Sequence, residues 1–220
     1  MSFKLIELAL RGGALMLAEK PSWLLRSGRM SPYFFDGGKF ATGSVLGAIG
    51  EMYAKSLLSA QVAFDVVYGP PYKGTLLAEV AVVKFLELSG MDVGYSTSRI
   101  LPKDYSEGGT FMGASVKGKR VVILDDTITE GGTMRTASER IRRFGGTPVH
   151  AVIAFDRQEC TNNPNRSAVR EVEHDLGIPV VALATLAELM KYLKDQPHYA
   201  QEMGAIERYQ KEYVVSGPSS

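Results

Sequence analysis

The stretch that most constrains this 220-residue chain is Val121–Thr133, VVILDDTITEGGT. Val121 to Asp125 read as a buried parallel strand, an apolar run without alternation that closes on acids. A segment rich in Thr and Gly follows, and Met134–Phe144 then reads as a helix. In open parallel α/β sheets, ligands sit where a strand ends at its carboxyl edge and the next helix begins. Strand, glycine loop and helix in that order place this loop at such an edge.

The loop's composition selects a kind of ligand. Gly131 and Gly132 permit φ > 0 and let the backbone approach closely. Successive N–H groups ahead of a helix N-terminus form an anion cradle, to which Thr127, Thr129 and Thr133 add hydroxyl donors. Asp125 and Asp126 repel phosphate and need sugar hydroxyls or a hydrated divalent cation instead. An acid pair followed by a phosphate cradle fits a ribose bearing a 5-phosphate. The alternative is a turn whose Asp and Thr only cap the helix. The strand before and the helix after favour the binding loop.

Other elements continue the pattern. Phe64–Tyr68, Val93–Thr97, Val149–Phe155 and Val180–Thr185 read as strands. Thr42–Ala60, Gly74–Leu88 and Ser167–Asp175 read as helices, with closing helices over about 185–194 and 197–213. Alternating strands and helices predict an α/β fold with a mostly parallel central sheet flanked by helices. Residues 3–18 read as a helix broken near Gly12-Gly13. Ser22–Leu25 and Tyr33–Asp36 read as a hairpin turning at Ser27-Gly28-Arg29. This N-terminal part, mainly 1–40 together with the C-terminal helices, is expected to form a small hood over the sheet edge. One domain is expected over 1–216, and 217–220 reads as a frayed tail.

Four further places carry chemistry. Phe34 and Phe35 are neighbours on a strand and face opposite sides, so one can be core while the other meets a ligand, although both packing in a small hood core fits the sequence equally well. Gly69-Pro70-Pro71-Tyr72-Lys73-Gly74 is a second glycine-bearing loop at a strand end, where Lys73 is placed to meet a diphosphate. Ser98–Thr110 is too polar for core and long enough for a flap, with Arg99 and Lys103 as its cations. Arg157 follows a strand end; taken alone it fits either a carboxylate ligand or a surface ion pair with Asp156 or Glu159. Gly113–Arg120 nearly spells a P-loop, but Arg120 replaces the magnesium-binding hydroxyl and the segment enters a strand, so it reads as a surface turn.

Bulk properties exclude other classes. A 45% apolar chain of this length buries a real core. A net charge of +1 gives no global attraction to nucleic acid or anionic membrane. One cysteine, Cys160, fits a reducing compartment, and no His or Cys cluster suggests zinc. Ser2–Leu17 reads as an amphipathic helix rather than a signal peptide or a membrane span, so a cytoplasmic location is expected.

Val121–Thr133 resembles the phosphoribosyl-diphosphate signature of the type I phosphoribosyltransferases. Ser27–Phe35 (SGRMSPYFF), GPPYKG at 69–74, Glu107-Gly108-Gly109 and FDRQE at 155–159 are similar, in the same order, to the orotate phosphoribosyltransferase family. The likeness runs from about Glu7 to Tyr213. It implies transfer of a 5-phosphoribosyl group from 5-phosphoribosyl 1-diphosphate to orotate, giving orotidine 5′-phosphate and diphosphate in pyrimidine biosynthesis. It also implies Mg2+ held mainly by the substrate, with Asp126 contributing through water. The active form is implied to be a homodimer whose flap Ser98–Thr110 reaches the neighbouring site, with no nucleic-acid or membrane partner.

Carried over residue by residue, the resemblance implies that Arg26, Tyr72, Lys73, Arg99, Lys103, Tyr105, Asp125, Asp126, Thr127, Ile128, Thr129, Glu130, Gly131, Gly132 and Thr133 bind the diphosphate sugar. Phe34, Phe35, Thr129 and Arg157 are implied for orotate. Lys103, Lys73, Arg99, Asp125 and Asp126 are the implied catalytic groups. The 69–74 loop is implied to contain a cis peptide near Pro71 and Tyr72.

The chain departs from the family pattern at Arg26 (a lysine elsewhere), at Ile100 (a lost cation) and at Tyr105 (a histidine elsewhere). Glu130 and Gly132 stand where a smaller residue and Thr are usual. These changes are expected to weaken flap–diphosphate contact without abolishing catalysis. Two other readings compete. A regulatory module would keep the cradle and lose the chemistry; Lys73, Lys103 and Arg157 together oppose it. A transferase for another base is opposed by Arg157 and the hood hairpin.

Overall fold

The computed structural model describes residues 1–99, 111–161 and 165–214. Helix α1 (Ser2–Arg11) buries Leu5, Ile6 and Ala9 and ends at Gly12. Strand β1 (Leu15–Leu17) follows where a continued helix was expected. Its residues pair antiparallel with β4 (Tyr33–Phe35), so a partner strand overrides local helical preference. Between them, β2 (Trp23–Leu24) pairs antiparallel with β3 (Met30–Ser31).

The expected hairpin is therefore corrected. Ser22–Leu25 turns back at Gly28 (φ +78°) as anticipated, but onto Met30–Ser31 and not onto Tyr33–Asp36. Pro32 explains the break: it has no N–H to continue the β3 ladder, and its carbonyl accepts from Ala18 N at 2.8 Å instead. Tyr33–Phe35 thus belongs to a separate two-stranded ribbon that covers the site.

The core begins with α2 (Gly43–Ser59), capped by the Thr42 hydroxyl, which accepts from Val45 N. There follow β5 (Val66–Gly69), α3 (Lys73–Ser89), β6 (Gly94–Ser98), β7 (Phe111–Gly113) and β8 (Arg120–Thr127). Then come α4 (Gly132–Arg143), β9 (Thr147–Asp156), α5 (Ala168–Leu176), β10 (Val180–Thr185), α6 (Leu186–Lys194) and α7 (Ala200–Tyr213). The six-stranded sheet has the order β10-β9-β8-β5-β6-β7. All pairings are parallel except β7, which lies antiparallel on β6. Three residues are too few for a readable alternation, which is why the sequence pattern does not announce β7. The turn through Gly118 (φ +69°) leads into β8, consistent with a surface turn rather than a P-loop.

Alternation along β8 builds both layers. Val122 and Leu124 point into the larger core with Tyr53, Leu77 and Phe155. Val121 and Ile123 point into a second core with Met134, Ile141 and Val172. Chain order runs outward from β8 to β9 and β10 on one side, and from β5 to β6 on the other. The β5–β8 junction is consequently the topological switch point, where a crevice opens beyond the carboxyl ends of the strands.

Candidate functional site

β8 runs two residues beyond the expected strand, so Asp125 and Asp126 are its buried carboxyl end. Asp126 is tied down on both oxygens. Its Oδ1 accepts from Thr127 N at 2.8 Å, and its Oδ2 accepts from Gly37 N at 3.1 Å and from Lys73 Nζ at 2.9 Å. A Cβ on Gly37 would come within 2.8 Å of Asp126 Cβ, so the close approach of the hood to β8 requires glycine there. Asp125 Oδ1 accepts from Asp126 N at 2.9 Å, and its carbonyl accepts from Tyr53 OH at 2.7 Å. Burial, then the neighbouring Asp126 charge, pushes the Asp125 carboxyl well above the usual range.

Lys73 opens α3 directly after the cis Pro71–Tyr72 peptide, the place the resemblance implied. Its ammonium also lies 2.9 Å from Asp36 Oδ1. Burial opposes its charge, yet Asp126 and Asp36 outweigh that and hold its pKa above the ordinary lysine value. Asp36 is correspondingly lowered, its burial outweighed by the hydrogen bond and charge of Lys73.

The glycine loop is seated on α5. Gly131 adopts φ +77°, and a Cβ there would fall 2.2 Å from Val172 Cγ2. Residues 127–133 wall a cavity of about 490 Å3, closed on the far side by Pro70 and Pro71. Arg26 and Arg140 also line it, the Arg140 guanidinium donating to Ser98 Oγ, and the exposed Glu130 lies on its rim. A second cavity of about 460 Å3 is lined by Phe34, Phe35, Tyr72, Lys73, Asp125, Asp126 and Arg157. The two share Arg26, Pro71, Thr127, Thr129 and Thr133 as walls. The acid pair therefore lies between an aromatic end and an N–H-rich end.

At the aromatic end the two phenylalanines divide, one of the two arrangements the alternation allowed. Phe35 joins the core, stacked on Phe155 at 5.4 Å, while the half-buried Phe34 stacks on Trp23 at 6.5 Å. Arg157 is buried and does pair with Glu159, so the expected ion pair is present but lies inside the protein rather than on its surface. Its Nε donates to Glu159 Oε1 at 2.8 Å, its Nη2 donates to Ser31 Oγ at 2.9 Å, and its guanidinium lies 4.1 Å from the Tyr33 ring centre. Glu159 Oε1 also accepts from Tyr33 OH at 3.1 Å and Tyr209 OH at 2.9 Å. Burial opposes the Arg157 charge, but Tyr33 and Glu159 hold it firmly protonated.

Most of the expected site residues of the described chain come together. Arg99 is the exception: it is half-buried, its Nε has no hydrogen-bond partner, and it lines neither cavity. Ile100, Lys103, Tyr105 and 107–109 lie outside the described residues. Among the described residues no group of three or more His, Cys, Asp or Glu is placed to hold a metal ion by itself. Sequence reasoning missed Trp23, Asp36 and Arg140, and named Glu159 only as a surface partner of Arg157. Arg140 carried a readable signal, since Thr133, Thr136 and Arg140 share one face at i, i+3 and i+7.

Residues 41–185 match the family model described as a phosphoribosyl transferase domain. The chain is 41% identical to an orotate phosphoribosyltransferase of Cupriavidus metallidurans, over 98% of this chain and 96% of that protein. It is 41% identical to one from Stenotrophomonas maltophilia, over 96% and 95% respectively. The crystal structure of orotate phosphoribosyltransferase from Francisella tularensis superposes with a TM-score of 0.82 at 27% identity, over 96% of this chain and 99% of that one.

Proposed function

This chain belongs to the orotate phosphoribosyltransferases within the phosphoribosyl transferase domain family, and from that premise we propose which of its residues carry the transfer of a 5-phosphoribosyl group to orotate. The carrying observation is the arrangement along β8: the buried acid pair lines the Phe34–Arg157 cavity, and Thr127, the next residue, is a wall that this cavity shares with the glycine-loop cavity. Orotate occupies the first, 5-phosphate the second, and the ribose crosses Asp125 and Asp126.

Breaking the anomeric C–O bond leaves an oxocarbenium-like sugar and a departing diphosphate. Residues 127–133 grip the 5-phosphate through backbone N–H groups and Thr hydroxyls. Asp125 and Asp126 accept from the ribose hydroxyls and place their negative charge beside the developing cation. Lys73 exchanges its Asp36 and Asp126 partners for diphosphate oxygens. Arg157, already oriented by Glu159 and Ser31, faces the orotate carboxylate, and Phe34 packs on the pyrimidine ring. Fixing both reactants this way supplies proximity rather than covalent catalysis.

Magnesium fits the donor set only as a substrate-borne ion. Hard cations take oxygen ligands, but both Asp126 oxygens already accept hydrogen bonds. Held mainly by the substrate, with Asp126 as the residue that would hold it through water, Mg2+ would supply charge neutralisation at the leaving group. Arg99 and Lys103 complete a neighbouring protomer's site in a homodimer; the position of Arg99 outside both cavities supports this. Among the described residues no helix is long and apolar enough to cross a membrane. The single cysteine, which fits a reducing compartment, supports a cytoplasmic location.

Loss of orotate absorbance on adding 5-phosphoribosyl 1-diphosphate, with and without Mg2+, tests the reading. Magnesium-dependent loss is expected. Tight binding of the diphosphate sugar with no loss would replace the enzyme by a regulatory module.

A further inference from the structure

Four arginines line α4 or its C-terminal turn, and all but one have an evident structural or solvent role. Arg135 pairs with Asp175 at 2.7 Å, Arg142 donates to the Leu176 carbonyl at 2.7 Å, and Arg143 is exposed. Arg140 differs. Its guanidinium lines the glycine-loop cavity and donates to the neutral hydroxyl of Ser98, which also accepts from Tyr68 OH. Among the described residues no carboxylate lies within ion-pair distance of it. A half-buried, permanently charged fork thus faces a cavity without a counter-charge from the protein.

Position explains the reach. Arg140 lies seven residues past Thr133, roughly 10 Å along the helix. Helical side chains lean toward the N-terminus, so an arginine at this position projects back under the cradle. Thr133 and Thr136 stand above it on the same face and line the same cavity. Glu130 on the rim adds negative charge that the cradle has to offset.

We infer that Arg140 is a ligand of the substrate's 5-phosphate, supplying from two turns down α4 a charge-assisted contact to the group held by residues 127–133. This rests on the reading of that loop as the 5-phosphate site. It gives the permissive, acid-bearing loop of this chain a cation from its own protomer. A mere tether to Ser98 would not need a guanidinium, because any amide donor could make that bond.

Arg140→Gln separates the two roles, since it keeps a donor for Ser98 and removes the charge. Ribose 5-phosphate and inorganic diphosphate are the probes, titrated calorimetrically into the full chain at low and high salt. The expected result is a ten- to hundredfold loss of ribose 5-phosphate affinity, roughly the span of one charge-assisted hydrogen bond. The salt dependence should weaken with it, diphosphate affinity should hold within about twofold, and Arg140→Lys should recover much of the loss. A correctly folded Arg140→Gln protein with wild-type ribose 5-phosphate affinity would overturn the inference, as would Arg140→Lys being equally weak. Loss confined to diphosphate would overturn the assignment to the 5-phosphate. Wild-type protein that neither binds ribose 5-phosphate nor consumes orotate would instead sink the functional reading beneath it.

Discussion

Lys73 Nζ lies 2.9 Å from Asp126 Oδ2, so the cation assigned to the leaving group is held by the carboxylate assigned to the sugar. Without ligand, this pair links the start of α3 to the end of β8, and Asp36 joins it to the hood. Diphosphate has to displace two carboxylates to reach the ammonium. Lys73→Met is expected to lower kcat/KM for 5-phosphoribosyl 1-diphosphate by about 10²–10³, the usual cost of one preorganised donor. Stability should change by only about 1 kcal/mol or less, because the ammonium is 42% exposed. Steady-state kinetics with both substrates varied would decide; wild-type kcat/KM would remove Lys73 from the chemistry.

Asp125 makes a pH-dependent statement about folding. Burial and Asp126 push its carboxyl up to about 7 in the folded chain, against about 3.9 when unfolded. The folded state therefore binds this proton more tightly, and its contribution to stability is present below about pH 4 and is lost as pH rises toward 7. Asp156, raised to about 6 chiefly by burial, acts in the same direction. Asp125→Asn keeps an acceptor for Asp126 N and removes the titration. Thermal midpoints from pH 4 to 8 should flatten by up to about one proton's slope, about 1.4 kcal/mol per pH unit, with the variant the more stable at pH 8. An unchanged slope would mean that Asp125 is not the buried acid that titrates.

Glu159 orients Arg157, the residue proposed to face the orotate carboxylate. One of its oxygens accepts from Arg157, Tyr33 and Tyr209 together. Glu159→Gln preserves the shape and leaves a buried guanidinium without its counter-charge, which costs about 3 kcal/mol at the low end for a broken buried pair. Urea unfolding should show that loss, and the KM for orotate should rise several-fold while that for the diphosphate sugar stays near wild type. Equal rises in both constants would make Glu159 a general structural residue with no bearing on orotate.

The parts of this molecule that sequence reasoning reached are those with a local cause. The β8–loop–α4 unit was legible because an apolar run, two acids and two glycines each impose a backbone state on their own. The parallel sheet followed from alternation alone. Pairing partners were less accessible: Leu15–Leu17 becomes a strand only because Tyr33–Phe35 is there, and Pro32 redirects Ser22–Leu25 to Met30–Ser31. Arg157 shows the same limit at the site. Its charge was readable, but its burial depends on Glu159, Tyr33 and Ser31, which meet only through the hood. Asp36 was invisible for the same reason, since it draws its meaning from Lys73 and the distant end of β8.

His150 provides a second pH signature, opposite in sign to that of Asp125. It sits in β9, paired in register with Val122, and neither ring nitrogen has a hydrogen-bond partner. Burial lowers its pKa, with the nearby Glu173 opposing only in part. Below about pH 6.5 the unfolded chain takes up a proton that the folded chain resists, so this residue makes stability fall as pH falls. His150→Leu removes both the titration and two unsatisfied buried nitrogens, each costing about 1–3 kcal/mol when left unpaired. Urea midpoints should rise at pH 8 through the second effect alone, and rise further at pH 5.5 where the first adds to it. Equal gains at the two pH values would show that His150 is buried but does not titrate in this range.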